Sequence, residues 1–283
     1  MNILVTGSSG YIGRNYIHTY KNQYNFFRFS LQENSIDTLN LESIDTILHC
    51  AALVHQHTSH DYEKYHAVNV DYPIALAEKA KAAGVKHFIF LSTVAVYGNH
   101  QAIYENTIPA PITHYGKSKH KAEIKLLTLN DKSFIVSIIR PSMVYGHNSP
   151  GNMSSLINLI NKVPILPFSN IKNSRNFIYI ENLTQLIKKI IDKREHGIFL
   201  AADDEFISTS HLIERIAKEL NRKIYLIEIP FFKDILKLLK PSLHNKLYGS
   251  LIIDNYVTKE SLNYQNPYSF NDGIKYMLED KKR

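Results

Sequence analysis

The chain has 283 residues, 44% hydrophobic and 21% charged, enough for one large α/β unit and a smaller lobe whose core needs no covalent staples. Its one cysteine, Cys50, excludes an intrachain disulfide and a multi-cysteine metal site, and fits cytoplasmic conditions. The formal charge of +7 favours anionic ligands, but the lysines are scattered without a basic block or an aromatic–basic ladder, so nucleic acid is not an expected partner. No apolar run reaches about eighteen residues and the N-terminus lacks a targeting pattern, so neither a membrane segment nor a signal peptide is expected.

Residues 3–5 form a short apolar run before Gly7 and predict a buried parallel strand, with a helix from near Tyr11. Strands are expected at 26–29 and 44–50, joined by a link too short for a full helix. A helix over 70–83, ended by Gly84, leads to a strand at 87–91. A helix over 116–129 and a strand at 134–139 follow. Strands alternating with helices predict a doubly wound, Rossmann-like parallel sheet. Beyond the turn-like stretch 145–150, a helix is expected at 153–161, a strand at 177–180, a helix at 182–191 and a strand at 197–200. A helix at 210–220, capped by Ser208 or Thr209, and a strand at 224–227 come next. The amphipathic run 231–240 predicts a helix ended by Pro241, core-facing in preference to one that touches a membrane or a partner. The expected division is a dinucleotide-binding unit over 1–150, continued by about 176–205, and a mainly substrate-binding α/β lobe over 151–283.

Gly7, Gly10 and Gly13 follow the first strand and open a helix. The first permits a tight turn, the second lets backbone approach a pyrophosphate, and the third allows close helix–strand packing. The helix N-terminus then faces the phosphates. The acidic residue that would hold a ribose 2′-hydroxyl at the end of the second strand is absent. The run there is Phe26-Phe27-Arg28-Phe29-Ser30, which leaves both NAD and NADP open. Tyr115 and Lys119 lie four apart on a helix and share a face. A neighbouring ammonium and a nicotinamide cation favour the phenolate, so Tyr115 can exchange a proton with a sugar hydroxyl or ketone. Thr93, just past the fourth strand, reaches the same sheet edge. A hydroxyl, a phenol and an ammonium beside a dinucleotide make a hydride-transfer site. His55, His57, His60 and His66 cluster in sequence without a convincing ligand spacing, so no metal is expected.

These motifs resemble the extended short-chain dehydrogenase/reductases of the nucleotide-sugar epimerase/dehydratase family. The resemblance rests on Thr6-Gly7-Ser8-Ser9-Gly10-Tyr11-Ile12-Gly13, His49-Cys50-Ala51-Ala52, Asn69, the run from Ser92 to Gly98, and Tyr115 to Lys119. The runs from Arg140 to Gly146 and from Arg175 to Ile180 extend it over nearly the whole chain. It implies cofactor contacts from Gly7, Ser9, Gly10, Tyr11, Ile12, Gly13, Ala51, Ala52, Asn69, Ser92, Tyr115, Lys119 and Pro141. It implies catalysis by Thr93, Tyr115 and Lys119, and contacts to a UDP-sugar from Thr93, Val94, Asn152, Arg175 and Lys246. A homodimer built from helices of the dinucleotide unit is implied as well. Val94 and Ala95 stand where the 4,6-dehydratases carry an Asp-Glu pair, which argues against water elimination. The C-terminal motifs resemble the branch that makes UDP-N-acetyl amino sugars for O antigen and capsule. The resulting expectation is a 4-ketoreductase acting on a UDP-4-keto-6-deoxy-N-acetylhexosamine, with a 4-epimerase of UDP-glucose or UDP-N-acetylglucosamine as the alternative. A non-catalytic dinucleotide-binding regulator is the different-class alternative, disfavoured because Thr93, Tyr115 and Lys119 are all kept.

Overall fold

The computed structural model describes residues 1–30, 35–54 and 62–279. The first half runs β1 (Asn2–Thr6), α1 (Tyr11–Tyr20), β2 (Asn25–Phe29), β3 (Thr46–His49), α2 (Tyr62–His66), α3 (Tyr72–Ala82), β4 (His87–Leu91), β5 (Ala102–Ile103), α4 (His114–Leu127) and β6 (Ile135–Pro141). The second half runs β7 (Met143–Tyr145), α5 (Asn152–Lys162), β8 (Ile165–Leu166), β9 (Phe177–Tyr179), α6 (Ile180–Lys193) and β10 (Gly197–Ala201). It continues with α7 (Thr209–Glu219), β11 (Tyr225–Leu226), α8 (Phe232–Leu239), α9 (Pro241–Tyr248), β12 (Ile252–Ile253), α10 (Tyr256–Leu262) and α11 (Phe270–Leu278).

Six strands form one parallel sheet in the order β10-β6-β4-β3-β1-β2. The period-2 alternation of a strand divides its side chains between two cores. Ile3, Val5, Ile89 and Leu91 join the layer under α1 and α6. Leu4, Phe88 and Phe90 join the layer under α3 and α4. Both faces being covered explains why β3 and β4 are buried along their whole length. This is the expected doubly wound sheet. The smaller lobe has its own core, in which Met153 and Ile160 of α5 meet Leu212, Ile213 and Ile216 of α7 and Ile274 of α11. Three short parallel pairs, β7 with β9, β5 with β12 and β8 with β11, lie outside the main sheet.

Several boundaries differ from the expectation for local reasons. Among its described residues, the link from β2 to β3 holds one short 3-10 turn, Ile36–Thr38. The helix expected over 70–83 is preceded by α2 and a π-helical stretch, Ala67–Asp71, whose wider turn buries Asn69. Thr113 caps α4, its Oγ1 accepting from the Gly116 amide at 3.0 Å, so the helix starts at His114 and Tyr115 sits in its first turn. Ser208 caps α7. The core-facing helix at 231–240 is a correction. Phe232 packs on the smaller lobe and Leu236 is half-buried, whereas Phe231, Ile235, Leu238 and Leu239 stay exposed. Pro241 begins α9 at a position where its missing N–H costs nothing, and the backbone breaks at Lys240.

Candidate active site

A cleft of about 1060 Å³ lies across the C-terminal ends of β1, β3, β4 and β6. That is where open α/β sheets place ligands. Its floor is the turn after β1. Gly7 has φ +68, and a Cβ there would come within 2.6 Å of the Ala51 amide nitrogen. A Cβ on Gly13 would meet the Gly7 carbonyl oxygen at 2.5 Å. Only glycine allows this approach of turn, helix and the strand beyond. No side chain caps α1, so its first amides remain open to an anion.

The opposite wall carries the polar residues. Thr93 follows β4 in extended backbone, and its Oγ1 accepts from the Ala95 amide at 3.1 Å. Tyr115 lines the same cleft from α4. Burial, with Tyr65 adding to it, pushes the Tyr115 phenol up to about 12. Both influences favour the protonated phenol, and the Lys119 ammonium, expected to lower it, is not among the charges acting on it.

Lys119 lies one turn further along α4, fully buried, with Nζ 3.7 Å from the centre of the Phe90 ring and without a hydrogen-bonding partner. Burial lowers it to about 7, opposed by the charges of Glu123 and Cys50. A buried ammonium with no acceptor is unusual. Together with the glycine cradle and the open helix end it fits a dinucleotide whose ribose hydroxyls would supply the missing acceptors.

Glu123, another turn along, was missed by the sequence reading, although it continues the Tyr115–Lys119 face at the same spacing. It is buried and takes Arg140 bidentately, Nε at 3.0 Å and Nη2 at 2.7 Å, and also accepts from the Ser92 hydroxyl. Arg140 Nη1 donates to the Tyr97 hydroxyl at 2.6 Å. This network ties α4 to the ends of β4 and β6, the elements that carry Tyr115, Thr93 and Pro141.

The other expected residues fall into three groups. Gly7, Gly10, Tyr11, Ile12, Gly13, Ala52, Ser92 and Pro141 line the cleft with Thr93 and Tyr115. Ser9, Ala51, Asn69, Val94 and Lys119 do not line it. Ala51 packs its backbone on Gly7, and Asn69 pins the loop after β3 by exchanging hydrogen bonds with Leu53 at 2.8 and 3.1 Å. Asn152, Arg175 and Lys246 instead line a second cavity of about 260 Å³, which shares Met143 with the first. There Gly151, not Asn152, is the cap of α5, and Arg175 Nη1 donates to the Gly249 carbonyl at 3.0 Å. Met143, Ser142 and His114 also line the main cleft and were not singled out as site residues.

Of the four clustered histidines, His55, His57 and His60 lie outside the described residues. His66 pairs with Asp71 at 2.9 Å and lies 2.8 Å from Lys121 Nζ. No group of three potential metal ligands occurs among the described residues.

This geometry has close counterparts. The chain is 32% identical, over 305 residues covering 96% of it and 93% of the relative, to the UDP-glucose 4-epimerase of Vibrio cholerae. It is 27% identical over 252 residues, 81% of it and 76% of the relative, to the N-acetyl-alpha-D-glucosaminyl-diphospho-ditrans,octacis-undecaprenol 4-epimerase of Escherichia coli O157:H7. Its fold superposes with a TM-score of 0.79, at 20% identity and over 98% and 97% of the two chains, on the crystal structure of UDP-glucuronic acid 4-epimerase from Bacillus cereus in complex with NAD. The relatives span epimerases, a reductase and dehydratases, so the narrower amino-sugar branch expected from the C-terminal motifs does not stand out. The NAD dependent epimerase/dehydratase profile matches residues 3–201, and with the glycine turn, Thr93 and Tyr115 lining one cleft, the chain belongs to that family.

Proposed function

We propose that the protein is an NAD(P)-dependent enzyme that inverts C4 of a UDP-sugar. The observation that carries this reading is that Thr93 and Tyr115 line the same cleft as the Gly7–Gly13 turn. A bound nicotinamide dinucleotide supplies the hydride acceptor there. Gly7, Gly10 and the α1 amides would hold its pyrophosphate, and Lys119 its nicotinamide ribose. The Thr93 hydroxyl orients the C4 oxygen, and Tyr115 takes its proton as the ketone forms and returns it as the ketone is reduced. Arg175, Lys246 and Asn152 would hold the diphosphate beyond Met143, a task suited to the forked guanidinium. The same residues serve a 4-ketoreductase, which the C-terminal motifs favoured. The relative from Vibrio cholerae moves the balance to the 4-epimerase.

Mass spectrometry of the gently purified protein tests this choice, because an epimerase must keep its cofactor between the two half-reactions. NAD retained through dialysis is the expected result. A protein that exchanges NADPH freely and reduces a UDP-4-keto-6-deoxy sugar would overturn it in favour of the reductase. A sugar carried on a polyprenyl diphosphate is a second reading. It is supported by the relative named for such a substrate and by the apolar side chains around Arg175, among them Leu156, Leu159, Phe168 and Leu243.

A further inference from the structure

The outer face of α8 is an apolar feature that neither core nor site uses. Phe231 is 77% exposed, Leu238 82%, Leu239 72% and Ile235 53%. Ile235, Leu238 and Leu239 share one stripe of the helix, and Phe231 stands exposed at its N-terminal end. The inward side is taken by Phe232, whose ring lies 6.3 Å from that of Phe168, with Leu236 half-buried one turn on. Phe231 has φ +60, a conformation that a bulky non-glycine side chain rarely adopts. A strained backbone that holds an aromatic ring in solvent calls for a functional account.

The charge beside the stripe says what it meets. Lys233 and Lys237 lie one turn apart on the polar side of the same helix, Lys240 stands at its end, and Lys246 follows on α9. Asp234 is the only carboxylate between 231 and 248. A short apolar stripe with a lysine-rich polar side is the pattern of a helix lying in a membrane interface, where ammonium groups meet anionic headgroups. A second copy of the chain fits less well. An isologous contact would bring the lysines of two copies together, and four side chains fall far short of the roughly 20 residues a side of a stable interface.

We propose that α8 docks the protein on an anionic phospholipid surface, with Phe231, Ile235, Leu238 and Leu239 in the acyl boundary and Lys233, Lys237 and Lys240 among the headgroups. The next helix, α9, carries Leu243, Lys246 and Leu247 on the wall of the smaller cavity. Docking thus brings the Arg175 side of the site close to the phosphate layer. It does not depend on which sugar the enzyme turns over.

Co-sedimentation of the full chain with vesicles tests the proposal. Binding to mixed phosphatidylcholine–phosphatidylglycerol vesicles is expected, weaker on phosphatidylcholine alone and at high salt. The Ile235→Ser, Leu238→Ser double variant should lose binding at least tenfold, and Lys233→Glu, Lys237→Glu should lose most of the preference for the anionic lipid. Both should keep wild-type circular dichroism and turnover of a soluble UDP-sugar, which separates loss of docking from loss of fold. Wild-type protein that stays in the supernatant would overturn the proposal. So would a serine variant that still sediments, or one whose only change is a smaller mass in sedimentation velocity, which would assign the stripe to a second copy. Vesicle binding by a protein without C4 activity would leave docking intact and count against the proposed reaction alone.

Discussion

Lys119 holds the sharpest tension in the site. Its folded value of about 7 lies below the ordinary 10.5 because burial disfavours the ammonium. A lysine lowered in the folded state binds fewer protons there than in the unfolded chain between those values. Stability contributed by this group therefore rises as pH climbs from about 7 toward 10.5, and the full penalty is felt below about 7. Lys119→Met removes that penalty with a side chain of similar length. At pH 6 the variant should melt about 3 °C or more above wild type, a margin that narrows toward pH 10, while its turnover falls by about 10²-fold or more. A lower melting temperature at pH 6 would mean that the ammonium has an acceptor within the fold. That Tyr115 and Lys119 sit one turn apart on α4 was legible from their four-residue spacing. The isolation of Lys119 was not, because it depends on which β4 side chains face α4, and Phe90 rather than an acceptor stands opposite.

At the scale of elements, the distance between α4 and the turn after β4 decides whether Thr93 and Tyr115 act on one oxygen. Gly116 sets that distance, since a Cβ there would lie 2.6 Å from the Ala95 carbonyl oxygen. Gly116→Ala should lower stability by about 1–3 kcal/mol through overpacking. It should also lower kcat more than it raises KM, because a small displacement of Tyr115 acts on the reacting oxygen and leaves the diphosphate contacts alone. Steady-state kinetics beside a thermal melt would check both. Glu123→Gln probes the second tie. It weakens the buried pair with Arg140, and a loss of about 3–5 kcal/mol is expected in chemical denaturation, because the guanidinium would keep its charge without a counter-charge. Strands and helices of the sheet were legible in their apolar periods and glycine turns. The π-helical stretch at 67–71 was not, since it comes from tertiary placement of Asn69 against Leu53 and Ser118. The outward face of α8 was not legible either, because its sequence pattern is the same whether the apolar side meets a core or a membrane.

Over the whole molecule, the chain places two cavities in series around Met143, one against the glycine turn and one between α5, α7 and α9. The first was largely legible, because a parallel sheet brings the ends of β1, β3, β4 and β6 to one edge regardless of detail. The second was only partly so. Arg175, Lys246 and Asn152 were singled out by family resemblance, but their apolar neighbours come from helices with no motif. No helix of the described residues is long and apolar enough to cross a membrane, so docking through α8 would be peripheral. Proton NMR of UDP-glucose and UDP-N-acetylglucosamine, each incubated with the protein and NAD, tests the central claim most directly. Signals of the C4-inverted sugar should grow with wild-type protein and slow by about 10²-fold or more with Tyr115→Phe. Inversion at equal rates in wild type and Tyr115→Phe would contradict the assignment of the reaction to this cleft.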